Sequence, residues 1–357
     1  MFGTYRTLLA VMVIFLHLGG MPVLGAYAVF GFYILSGYLM TLIMQKNYGY
    51  TRSGVTRYAV NRFLRIYPIY WMSCIVSLML IYWLGEDYVR NFHSSMFYPD
   101  DLVSILRNLL LFFPSLNEPR LTPPSWALTV EIFFYIGIGL GLSKSRSVTI
   151  AWFVISVAYV VAVHVSGLGW NYKYFIIPAA SLPFATGALV FHYRDKLISL
   201  VERRFDSNYL PAILFSIVLA NWVAGYYLGS LRGASFYLNY ALCAATLVSL
   251  LNKRSLPLVS MKVDKMLGDY SYPVYLVHYQ VGLVVLVVFQ RAGYNFVYPG
   301  IGLALVSLPL IILVAWLMTR YMEMPIELLR ARIKADNHAV GVTESNVTPP
   351  GDAGIRK

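Results

Sequence analysis

Arg6 and His17 stand eleven residues apart in YRTLLAVMVIFLHLGG, a run otherwise almost free of charge. Titratable groups inside an apolar segment are costly and commonly mark a function. Eleven residues is close to three helical turns, so the two side chains share a face roughly 16 Å apart along the axis. A cation near one membrane surface and an imidazole deep in the same helix suit a long ligand stretched between them. The imidazole can exchange a proton near neutral pH, so it is the group able to act as a general base. Each has a plainer use taken alone: Arg6 as a snorkelling interface arginine, His17 as a helix–helix hydrogen-bonding residue.

Three further places carry chemistry. Glu131 interrupts PPSWALTVEIFFYIGIGL, and a buried carboxylate needs a partner or a proton. Counting from the helix ends puts it at the depth of His17, so a Glu131–His17 pair is expected, the carboxylate holding the imidazole in one tautomer. A pair that only stabilises packing is the alternative. His278, in LGDYSYPVYLVHYQ, reaches the same layer, and Pro273 before it is expected to kink or loosen the helix start. A buried His278 bonded to a neighbouring tyrosine fits equally well. Arg57, Arg62 and Arg65 cluster with Tyr67 in RYAVNRFLRIYPIYW. Arg62 and Arg65 share a helical face, and their forked guanidinium groups suit phosphate oxygens or anionic lipid headgroups. In FGFYILSGYLMT, Gly31, Ser36 and Gly37 allow helices to approach closely. His93, His164, His192 and His338 lack metal-ligand spacing, and no P-loop or dinucleotide fingerprint is present. Neither a metal nor a bound cofactor is therefore expected.

The elements that position these groups follow from composition. The 357 residues are 59% hydrophobic and only 12% charged, about half the charge of a soluble domain. Apolar runs long enough to cross a bilayer recur along the chain. The expected fold is an all-α polytopic membrane protein of about ten spans, near 6–23, 26–45, 66–84, 124–142, 148–167, 173–192, 209–228, 235–251, 267–290 and 297–320. Of the 28 Lys and Arg residues, only Arg90, Arg107, Arg120, Lys173, Arg232 and Arg291 fall outside the segments on the N-terminal side. Basic residues collect in cytoplasmic segments, so both termini are expected in the cytoplasm, and the net charge of +12 does not imply nucleic acid. A cleavable leader ending near Leu24–Ala26 is rejected, because cleavage would discard His17. Cys74 and Cys243 lie in apolar runs and indicate neither a disulfide nor a zinc site. The segment 85–123, containing DDLVSILRNLLLFF, reads as a short amphipathic or re-entrant helix on the outer side, capped by Asp100 or Asp101. A membrane domain over 1–333 is followed by a polar tail over 334–357, expected to be disordered, whose sequon at Asn346 is inert on the cytoplasmic side.

In order along the chain, these residues resemble the membrane acyltransferase-3 family. Its opening arginine, ten residues and histidine match Arg6 and His17. FYILSGY at Phe32–Tyr38 is similar to its second motif, and Arg62-Phe-Leu-Arg65-Ile-Tyr67-Pro68, with Ile66 preceding the tyrosine, to its arginine-rich one. Trp126-Ala-Leu-Thr-Val-Glu131 matches a WSLSVE-type motif, and Gly268, Ser271, Tyr272, Tyr275, Leu276 and His278 match a late one. Glu323 and Pro325 match its closing E-x-P. The acidic residue common before the first arginine is missing, and Ile132 replaces a second acidic residue. The SGNH-type domain of some members is absent from these residues.

The resemblance implies transfer of an acyl group, usually acetyl, from cytoplasmic acyl-CoA, a co-substrate, to a glycan or lipid-linked saccharide at the outer face of a bacterial inner membrane. His17 and Glu131 would be catalytic, with Arg6, Arg62 and Arg65 binding acyl-CoA. Ser36, Tyr67, Trp126, Ser271, Tyr275 and His278 would support them, with Ser36, Tyr135 or Tyr275 donating to the oxyanion. A flippase for a lipid-linked saccharide, consuming no acyl-CoA, is the alternative from another class. Acceptor identity and oligomeric state stay open.

Overall fold

The computed structural model describes residues 2–331 apart from 115–117, 206, 252, 254–256 and 258. The expected tail, with its sequon, lies outside the described residues. Among these residues the main α-helices are, in order, α1 (Phe2–His17), α2 (Leu24–Ile43), α3 (Arg52–Leu84), α4 (Glu86–Phe92), α5 (Leu102–Leu110), α6 (Ser125–Gly139), α7 (Arg146–Val165), α8 (Ile177–Arg204), α9 (Leu210–Tyr227), α10 (Ala234–Leu250), α11 (Met261–Arg291) and α12 (Ile301–Met318). Among the described residues there is no β-strand. Each expected span falls on a helix, and seven helices are long and apolar enough to cross a membrane. Three shorter apolar helices, Phe2–His17, Ser125–Gly139 and Ala234–Leu250, accompany them.

The core is built around α1, which lies between α2 and α11. α11 runs parallel to it. Thr7 Oγ1 donates to the Leu267 carbonyl at 2.7 Å, and His17 meets His278 about three turns further on. Asp264 of α11 closes the start of α1. Its carboxylate accepts from the Gly3 and Thr4 amides at 3.2 and 2.9 Å and from Thr4 Oγ1 at 2.7 Å. Those amides have no partner inside the helix, and a carboxylate there also suits the helix dipole. An acidic residue from 260 positions away thus supplies the charge that the opening sequence lacks. Gly3 permits the approach, since a Cβ there would lie 1.7 Å from the Asp264 carbonyl.

α2 returns antiparallel along α1. Gly25 packs on Val13 and Leu16, and Gly31 on Leu9 and Tyr5. On its other side α2 crosses α8 with backbones almost touching. A Cβ on Gly37 would stand 2.1 Å from the Phe184 carbonyl, and one on Gly187 1.9 Å from that of Ile34. The close approach expected from Gly31 and Gly37 is present, and Gly187 completes it. Because both obstacles are backbone, Gly187→Ala is expected to cost at least the ~1–3 kcal/mol of an overpacked core. The purified protein should melt at a lower temperature, while Gly169→Ala, facing open space, should melt as wild type.

Pro273 lies inside α11, which does not break there but runs from Met261 to Arg291. The segment expected to be a short amphipathic or re-entrant helix packs along the side of α3. Asp101 caps α5 by accepting from the Val103 and Ser104 amides at 2.8 and 3.0 Å. α5 then descends along α3, where Tyr70 OH, Trp71 Nε1 and Tyr67 OH donate to the carbonyls of Asn108, Leu109 and Leu110 at 2.8, 2.9 and 2.8 Å. Tyr67 is seventeen residues from the end of α3 at Leu84, roughly 25 Å of helix. Leu102, Val103, Leu106 and Leu110 stay exposed and form the apolar face expected against lipid.

Candidate active site

His17 closes α1 and is half-buried. Its Nδ1 lies 2.8 Å from His278 Nε2. The ring planes differ by 7° with centroids 5.1 Å apart, the geometry of an in-plane hydrogen bond. The tautomers follow from the next partner. His278 Nδ1 lies 2.7 Å from the Tyr275 carbonyl, which can only accept, so this nitrogen carries the proton. Neutral His278 then accepts at Nε2, His17 donates from Nδ1, and His17 Nε2 keeps its lone pair. Tyr279 packs on both imidazoles, 4.8 Å from His17 and 4.7 Å from His278.

Glu131 is not the partner of His17. Its Oε1 accepts from Ser36 Oγ at 2.6 Å and from the Tyr135 hydroxyl. Ser36 lies beyond Gly31, which already packs against Tyr5 of α1, so Glu131 sits at the Arg6 end of the site. The depth count failed because α6 starts inside the protein. Thr122, just before it, meets Ser73 at 2.8 Å, and Ser73 is roughly 16 Å down α3 from Leu84. Ser36 and Tyr135 therefore give their protons to Glu131, and Tyr275 gives its own to the Pro124 carbonyl at 2.9 Å. In this state none of the three points a hydrogen at a substrate oxyanion.

A cavity of about 810 Å³ occupies the Arg6 end. Arg6, Arg62, Arg65, Lys262, Lys265 and Arg330 line it, together with Glu323 and Glu327. Phe32, Tyr33, Ser36, Glu131, Ser271 and Tyr275 also line it. Arg65 is paired with Glu323, both nearly buried at 16% and 7% side-chain exposure, and Arg330 with Glu327. Arg62 Nη2 and Arg330 Nη2 share Asn61 Oδ1, at 2.5 and 3.3 Å. Arg62 and Arg65 thus gather with Arg6 as expected, but inside a network with its own counter-charges. Arg330 had looked like one more interior-side basic residue, and nothing local in the sequence marked it.

His17 and His278 do not line this cavity. Tyr275 does, and its ring stands 6.3 Å from that of His278. It is the wall between the arginine-lined space and the imidazole pair. Tyr67 and Trp126 lie elsewhere: Tyr67 holds α5, and Trp126 packs edge-on against Tyr174 and Phe175. Ser271 Oγ donates to the Gly268 carbonyl at 2.8 Å.

On the other side of Tyr279 lies a residue that the sequence did not single out. The His93 ring meets Tyr279 edge-on at 4.8 Å. Burial, with the Arg120 cation adding to it, pulls the His93 imidazole down to about 4. The folded state then refuses a proton that the unfolded chain binds below pH 6.5, so stability falls as pH drops from about 6.5 to about 4. Melting in mildly acidic buffer should lose up to about 1.4 kcal/mol per pH unit more in wild type than in His93→Gln.

A family profile described as an acyltransferase domain, acyltransferase-3, matches residues 4–320. The chain belongs to the acyltransferase-3 family. No curated protein matches it, and neither does any solved structure. The matched residues of this acyltransferase-3 protein include Arg6, His17, Arg57, Arg62, Arg65, Glu131 and His278, so the imidazole pair and most of the cavity lining fall inside the family domain, while Glu323, Glu327 and Arg330 lie just beyond it.

Proposed function

We propose that this membrane acyltransferase moves an acetyl group from acetyl-CoA to a hydroxyl of a cell-surface or lipid-linked glycan, with His17 as general base. The observation that carries this is the chain from the Tyr275 carbonyl through His278 to His17, which leaves a basic Nε2 beyond the end of an arginine-lined cavity. Arginine and lysine side chains crowd the cavity lining, supporting an opening to the cytoplasm in a bacterial inner membrane. Phosphates of acyl-CoA would meet Arg6, Arg62, Arg65 and Arg330, and the pantetheine arm would run along α1 towards Tyr275. Tyr275 must move for the thioester to reach His17, and that movement would free its hydroxyl as an oxyanion donor.

The reaction then balances with side chains alone. His17 Nε2 takes the acceptor's O–H proton, and the oxygen attacks the thioester carbonyl carbon. The tetrahedral intermediate collapses with cleavage of the C–S bond, and the thiolate leaves as thiol with the proton from His17. Transfer through an acyl-histidine is a variant of the same scheme. Glu131, with Ser36 and Tyr135, holds the cavity wall instead of orienting the base.

The test is thiol release from acetyl-CoA by purified protein in lipid nanodiscs, with and without a glycan acceptor. Acceptor-dependent thiol release with acetylated product is expected. Saccharide movement across the bilayer with no thiol released would favour the flippase reading.

A further inference from the structure

His93 sits one aromatic ring from the base, on the side away from the cavity, and the transfer scheme gives it no role. It follows α4 in the segment that carries α5, so it comes from a different part of the chain than His17 and His278. Its orientation is fixed. The Ser95 backbone amide donates to His93 Nδ1 at 3.2 Å, and Ser95 Oγ lies 2.9 Å from the same nitrogen. An amide N–H can only donate, so Nδ1 accepts, and the neutral ring carries its proton on Nε2. The loop is held in turn by buried Arg120, whose backbone amide donates to the Ser95 carbonyl at 2.8 Å. His93 is half-buried. Its edge touches Tyr279, whose ring also packs on His17. Around them stand Phe92, 6.1 Å from Tyr279, and Tyr298, stacked on Phe92 at 4.3 Å.

A half-buried ring with a fixed N–H donor, one buried tyrosine away from the base, suits a hydroxyl-bearing ligand whose oxygens accept from it. We propose that His93 is an acceptor-binding residue, its Nε2–H hydrogen-bonding one hydroxyl oxygen of a saccharide so that a neighbouring hydroxyl faces His17 Nε2. The inference rests on the reading of His17 as the transfer base, and gives that reaction its second substrate site. The two substrates then approach the imidazole from opposite sides, acyl-CoA past Tyr275 and saccharide past His93. Only the base is common to both.

The experiment uses full-length protein in nanodiscs, acetyl-CoA, and whichever of the alkyl gluco-, galacto-, manno- and rhamnosides wild type acetylates fastest. His93→Phe should raise the acceptor KM about tenfold or more, the loss of one hydrogen bond at a partly buried site, with the acetyl-CoA KM unchanged. His93→Gln, which keeps an N–H near the same place, should recover most of that loss. If His93→Phe does not accumulate, His93→Leu carries the same test. An unchanged acceptor KM overturns the assignment, as does a Gln variant as impaired as the apolar one or an equal rise in both KM values. Failure of wild type to release thiol with any glycoside overturns the transferase reading itself, and His93 falls with it.

Discussion

His17→Ala should abolish acyl transfer while the protein still accumulates in the membrane. A positioned general base contributes roughly 10²–10⁴-fold, and no other imidazole can take its place. His278 Nδ1 is committed to the Tyr275 carbonyl and its Nε2 to His17, while His93 Nδ1 accepts from the Ser95 amide and its Nε2 carries the proton. The His278 variants separate the base from the group that orients it. His278→Leu removes the acceptor that keeps the proton on His17 Nδ1, so kcat should fall about tenfold or more, with less effect on either KM. His278→Gln offers an amide oxygen to the same N–H and should retain more activity than His278→Leu. The measurements are thiol release and acetylated product, on protein that elutes as a single species. Near-normal transfer by His17→Ala would remove His17 from the mechanism. Equal activity of the two His278 variants would remove the orienting role and leave the base in place.

Arg65→Ala should cost more than substrate affinity. Arg65 and Glu323 form a nearly buried ion pair. Removing one partner of such a pair typically costs about 3–5 kcal/mol, because the other charge is left behind without compensation. The single variant should therefore accumulate poorly or melt early. Arg65→Ala combined with Glu323→Gln removes both charges and should recover much of that loss. The double variant then isolates recognition: with the fold restored, its acetyl-CoA KM should still be raised well above wild type. A double variant that folds and binds acetyl-CoA normally would make Arg65 structural and pass phosphate recognition to Arg6, Arg62 and Arg330. A single variant as stable as wild type would contradict the buried pair itself.

The two results probe different ends of one site, and the sequence reached those ends unequally. Arg6 and His17 are covalently spaced on one helix, so their relation needed nothing but helical pitch. The spans were legible because each must be apolar for about twenty residues whatever its neighbours do. The Asp101 cap and the glycine-mediated crossing of α2 were legible because each rests on a local backbone requirement. His278 was placed at the right layer by counting along α11, which runs parallel to α1.

Glu131 shows where counting stops working. Its depth was read as though α6 began at the membrane surface. The chain before it dips inward, held by the hydroxyls of Tyr67 and Tyr70 and by the contact of Thr122 with Ser73. Side-chain partners on another helix satisfy the irregular backbone there, so hydropathy alone carries no sign of it. The same holds for Arg65 and Glu323, whose pairing spans most of the chain, and for Asp264 at the start of α1. By itself the sequence determined a polytopic helical protein, its family, and an imidazole three turns from a cation. The tertiary structure decided what each titratable group faces: His278 against His17, Glu131 against Ser36 and Tyr135, and Tyr275 between cavity and base. Spacing along a helix is fixed by covalent geometry, whereas the partner of a buried polar group is fixed by how separate helices cross.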